Sequence, residues 1–175
     1  ERPSCRRFLA DVEAGRLDGV AFVGTATTAE WGQWFSRFPL PSVGGWCRHT
    51  VNIDAQAMLE AGVEQLLAQG CRRLALLAWG HTADGCAGCL AAHGLEFRPQ
   101  WCRHDLEPSL PGAGWEEFRE IWAAYPEKPD GMVILDDLLA DDAAKAIAEL
   151  RLQVPEQLRL VVLANRGSGI DFPFP

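Results

Sequence analysis

Two sets of residues in this 175-residue chain have the types and spacing for chemistry. The first is a pair of polar strand ends. Asp136-Asp137 closes the apolar run 131–135, and Asn165-Arg166 closes the run 158–163. Polar groups at the carboxyl ends of parallel strands are where open α/β sheets bind small molecules. A carboxylate that closes a buried strand must find partners, which makes Asp136 the first candidate contact. Asp137 reads equally as the N-cap of the helix that follows. The pair could also hold Mg²⁺, but no further carboxylate-rich loop supports that. The second set is Cys86-Ala87-Gly88-Cys89 with Cys102-Arg103-His104, four donors of the kind that close a tetrahedral zinc site. Cys-x-His is not the usual second half of a zinc knuckle, and the other cysteines are scattered. Reduced thiols are therefore expected, with zinc on Cys86, Cys89, Cys102 and His104 as the alternative. A redox role for Cys86-x-x-Cys89 is expected less than zinc, because a redox Cys-x-x-Cys should open a helix directly after a strand. Residues 80–88 lack the Lys-Ser/Thr of a phosphate loop, and no Gly-x-Ser-x-Gly occurs. No cofactor and no enzymatic activity are expected.

These residues need elements to position them, and the chain alternates strand and helix throughout. Phe8, Leu9 and Val12 share one face of a predicted helix over 4–15, stopped by Gly15. A strand at 20–23 follows, then a helix carrying Trp31, Trp34 and Phe35, then a short strand near Ser42-Val43. Asp54 is the predicted N-cap of a helix to about Gln69, with Gly70 as its C′ residue. Strands are expected at 72–79, 94–97, 131–135 and 158–163. Helices are expected at 115–124 and 138–150, and a Pro/Gly loop at 105–114. Helices of this length between short apolar strands imply parallel pairing and helices on both sheet faces. The expected class is therefore α/β with two Rossmann-like lobes, the first incomplete. Residues 1–53 form part of the first lobe, 54–165 the second, and 166–175 a return segment toward the first.

The bulk properties narrow the function classes. A formal charge of -8 without a Lys/Arg cluster argues against this chain gripping a phosphate backbone itself. No apolar run approaches the roughly 20 residues of a membrane span. Glu1-Arg2-Pro3-Ser4-Cys5-Arg6-Arg7 is not a secretory leader, so a cytoplasmic location is expected. Six cysteines in a chain of this size do not read as a disulfide framework.

The ordered motifs resemble a known family. They are Leu17-Asp18-Gly19-Val20, Val51-x-Ile53-Asp54, and Gly62-Val63-Glu64-Gln65-Leu66 with Gly70-Cys71-Arg72-Arg73-Leu74-Ala75-Leu76-Leu77. Gly114-Trp115, Pro129-Asp130-Gly131, Asp136-Asp137-x-x-Ala140 and Val154-Pro155-Glu156 follow in order. The set resembles the effector-binding domain of LacI/GalR transcription regulators, which share the type I periplasmic-binding-protein fold, and it covers almost the whole chain. The resemblance implies a fragment that begins mid-lobe, with DNA binding left to a headpiece outside it, of helix-turn-helix or winged-helix type. It also implies a homodimer and a small-molecule effector of the carbohydrate class, bound between lobes.

Mapped motif by motif, the resemblance implies ligand contacts at Asp136 and Asn165, an aromatic platform at Trp115, and a lobe-crossing position at Ile53. Arg166 reads as a hydroxyl or carboxylate clamp, or as a surface charge. The family usually carries an Arg in the helix after the strand at 73–79. Residues 80–94 contain none and are shortened, so His81 is the candidate substitute. A solute-binding protein of a sugar transport system is the alternative function on the same fold.

Overall fold

The computed structural model describes residues 3–21, 37, 39–44, 49–51, 53–79 and 85–174. The chain divides into two compact units, Glu1–Ile53 and Asp54–Pro175.

In the first unit, helix α1 (Pro3–Glu13) ends at Gly15, whose φ of 64° is the left-handed conformation that glycine tolerates. The Gly15 and Arg16 amides donate to Val12 and Asp11 carbonyls, the paired closure of a Schellman motif. Strands β1 (Val20–Ala21) and β2 (Ser42–Val43) pair in parallel, Val20 against Ser42. The expected helix at Trp31, Trp34 and Phe35 lies outside the described residues.

The second unit is a four-stranded parallel sheet in the order β4-β3-β5-β6, where β3 is Leu74–Trp79, β4 Cys102–Leu106, β5 Gly131–Ile134 and β6 Arg159–Val162. Helix α2 (Ala55–Ala68) starts on Asp54, whose carboxylate accepts the Ala57 amide at 2.9 Å. Its buried residues Leu59, Gly62, Val63 and Leu66 follow the helical spacing. Helix α3 (Cys86–Ala92) joins α2 on one face of the sheet. Helices α4 (Ala113–Ala123) and α5 (Asp137–Glu149) cover the other. Side chains alternate between the faces, as the pleat requires. Leu74, Leu76, Ala78, Val133 and Leu135 enter the α2/α3 core, whereas Ala75, Leu77, Met132 and Ile134 enter the α4/α5 core. Phe172 and Phe174 of the terminal segment pack against the latter.

Close approaches depend on small residues. A Cβ on Gly62 would lie 2.8 Å from a Val133 methyl, and one on Gly114 would lie 2.2 Å from the Leu139 carbonyl oxygen. The Pro-Asp-Gly turn before β5 is tied to β3 by Asp130, which accepts the Arg72 and Arg73 amides at 2.9 and 2.8 Å.

Two elements depart from expectation. Residues 94–97 are not a strand. The edge strand is β4, within Cys-Arg-His-Asp-Leu, which has no apolar run because most of its side chains are only partly covered. No helix among the described residues is long and apolar enough to cross a membrane.

Candidate functional site

The strand order creates one topological switch point. After β3 the chain moves outward to β4, then returns to the opposite side of β3 for β5. Helix connections on either side of such a point leave a crevice at the strands' carboxyl ends. Here that edge is formed by Trp79 at the end of β3, by Leu135-Asp136 after β5, and by Leu163 to Asn165 after β6. The Trp79 indole N–H donates to the Leu135 carbonyl at 3.0 Å and ties the first two together.

The two aspartates take different roles, and the cap falls to Asp136 rather than to Asp137. Asp136 is the N-cap of α5: its extended backbone lets Oδ1 accept the Leu138 and Leu139 amides at 2.8 and 3.1 Å. Its Oδ2 has no hydrogen-bond partner among the described residues and its side chain is half-buried. Asp137, expected as cap or contact, is buried instead. It accepts the Asn165 backbone amide at 3.1 Å and the Asn165 side-chain amide at 3.2 Å. This clasp joins the carboxyl ends of β5 and β6. The Asn165 NH₂ is thus given to Asp137, whereas its side-chain carbonyl oxygen takes no part in the clasp. Asp136, Asn165 and Arg166 are therefore brought to one edge of the sheet, and Arg166 is exposed there.

Trp115 is not brought to that edge. Its indole N–H donates to Glu149 at 3.0 Å, at the end of α5 opposite Asp136, and the Arg119 guanidinium lies 4.8 Å from its ring centroid. Its partner and its packing against the α4/α5 core make it a helix–helix tie. Ile53 is 64 % exposed at the last position of the first unit. His81 lies outside the described residues.

The four zinc candidates do not converge. Among the described residues no three His, Cys, Asp or Glu side chains are placed to hold a metal ion. His104 pairs with Asp105 at 2.8 Å. Cys89 is buried in the α2/α3 core, where burial pushes its thiol pKa up. Cys86 and Cys102 do come together at one small cavity beside the α2/α3 core, and their interaction lowers the Cys102 thiol pKa and raises that of Cys86.

Sequence reasoning overlooked a groove of about 580 Å³ lined by Asp54, Met58, Gln65, Leu135, Val162 and Leu163. That volume suits a small molecule. It runs between α2 and β6 and reaches the carboxyl ends of β5 and β6 at Leu135 and Leu163. Its signal in the sequence is Ala57 and Ala61, one turn apart, which leave the α2 surface low on that side.

The family described as a periplasmic binding protein-like domain matches residues 63–172, more than half the chain. A regulatory protein of the LacI family from Chloroflexus aggregans superimposes with a TM-score of 0.74 at 21% identity, over 91% of this chain and 61% of that one. A sugar-binding LacI-family transcriptional regulator from Escherichia coli, in complex with phosphate, gives 0.73 at 19%, over 90% and 60%. The transcriptional regulator CelR, in complex with cellobiose, gives 0.74 at 19%, over 93% and 53%. The chain thus spans little more than half the length of these structures. No curated protein matches it in sequence.

Proposed function

Because the chain belongs to the periplasmic binding protein-like domain family, we propose that it is the effector-sensing part of a bacterial transcriptional regulator. Its effector is a small hydroxyl-rich molecule of the carbohydrate class. The observation that carries this reading is the row of acceptors at the sheet's carboxyl edge: Asp136 Oδ2 and the Asn165 carbonyl, one strand apart, with Arg166 beside them. Such oxygens accept hydrogen bonds from sugar hydroxyls, and a guanidinium returns donors to ring or hydroxyl oxygens. Regulation would work by differential affinity, the effector favouring one conformation of the whole protein over another. Pairing with a second copy, DNA reading and a cytoplasmic location belong to that whole protein. The transport-type alternative has no observation in its favour.

The test is a thermal-shift panel of pentoses, hexoses, uronic acids and nucleobases on the wild type and on Asp136→Ser. A ligand that binds the native state alone at a hundred times its Kd adds about 2.7 kcal/mol of stability. The expected result is a shift with one sugar class in the wild type that vanishes in Asp136→Ser. Serine keeps the helix cap, so the ligand-free melting temperature should scarcely move. A panel without any shift, or a shift that survives in Asp136→Ser, refutes the site.

A further inference from the structure

The Cys86 and Cys102 side chains belong to different elements, the start of α3 and the start of β4. Both line one small internal cavity of about 10 Å³, bounded also by Leu76, Leu90 and Trp101. Room of that size holds at most a single water. Cys86 is buried and Cys102 is the less buried of the two. Cys102 stands opposite Leu76 in the β3–β4 ladder, and Leu76 and Cys86 share the same core cluster. No bond joins the two sulfurs: both are free thiols.

We propose that Cys86 and Cys102 form a reversible oxidation site, converted to an intramolecular disulfide by small disulfides of the oxidised-glutathione type. The Cys102 thiolate attacks one sulfur of the small disulfide, breaking its S–S bond and releasing one small thiol. Cys86 loses its proton to solvent and attacks the Cys102 sulfur of the mixed disulfide, releasing the second small thiol. Two protein thiols are oxidised and one disulfide is reduced to two thiols. Cys102 suits the first step because its thiol is held below the ordinary range, and the thiolate is the attacking form. The new bond would pin the start of α3 to β4. The other pairing open to Cys86 is with Cys89, in the Cys86-x-x-Cys89 motif. That motif does open a helix here, although six residues after β3, and Cys89 faces the α2/α3 core.

The test is a thiol map. The reduced chain is incubated with oxidised glutathione, quenched with iodoacetamide and digested without reductant. The expected product is a linked pair of peptides carrying Cys86 and Cys102, both protected from alkylation and separated again by dithiothreitol. Cys86→Ser should stop at a mixed disulfide between Cys102 and glutathione. Should that variant fail to fold, the wild-type map still decides. A link from Cys86 to Cys89, or Cys86 and Cys102 both fully alkylated while circular dichroism reports a folded chain, overturns the proposal.

Discussion

Asp136 offers a way to separate local structure from ligand recognition in one side chain. Its Oδ1 accepts two amides at the start of α5, Leu138 at 2.8 Å and Leu139 at 3.1 Å. These are two of the four N–H groups that a helix leaves unpaired at its start. Replacing an Asp cap by alanine costs about 1 kcal/mol, within a range of roughly 0.5–2. Some of that is the favourable interaction of a negative charge with the helix N-terminus. Asp137 at the first helical position retains part of that charge effect in any Asp136 variant. In a unit of this size 1 kcal/mol corresponds to about 4 °C in melting temperature. Asp136→Ala should therefore melt about 4 °C below the wild type, whereas Asp136→Ser should stay within about 1–2 °C, since a serine hydroxyl replaces the accepting oxygen. Ligand-free melting of the three proteins, followed by far-UV circular dichroism, is the assay. Equal losses in the two variants would show that Oδ1 is not what starts α5. The division of labour between Oδ1 as cap and Oδ2 as ligand contact would then be wrong.

Two helical glycines in different surroundings predict opposite signs for the same substitution. Gly114→Ala would drive a methyl against the Leu139 carbonyl 2.2 Å away; overpacking of this kind costs about 1–3 kcal/mol, so its urea midpoint should fall. Gly88→Ala meets nothing within 4 Å on the exposed side of α3, and the gain in helix propensity should stabilise by about 0.5–1 kcal/mol, seen as a raised midpoint in the same titration. Asn165→Ala removes a side-chain donor from the buried Asp137 carboxylate, a charge-assisted bond worth about 1.5–3 kcal/mol; a loss below 0.5 kcal/mol or so in equilibrium unfolding would contradict the clasp. At neutral pH Cys102 should react with iodoacetamide before Cys71 and Cys89, because its thiol is held low while burial raises theirs; a time course of alkylation by mass spectrometry that shows the reverse order would refute it.

What the chain's linear order determined is what depends on neighbours within one or two turns. Asp54 before α2, Gly15 and Gly70 after their helices, and the apolar runs of β3, β5 and β6 were all readable, because caps and pleats act over a few residues. The motif order carried the family resemblance for the same reason. Tertiary structure decided the rest. Strand β4 is an edge, and an edge strand need not be apolar, so periodicity passed over Cys-Arg-His-Asp-Leu. Two adjacent aspartates satisfy the cap pattern equally, and the position of Asn165, brought alongside by the β5–β6 pairing, separated cap from clasp. Trp115 has an aromatic's affinity for a ligand or a core, and it was Glu149, 34 residues away, that made it a helix tie. The Cys86–Cys102 contact likewise needs β4 beside β3 and α3 above them. Sequence spacing reports which groups are near along the chain, whereas these contacts are fixed by strand order, which is set by burial of the whole sheet at once.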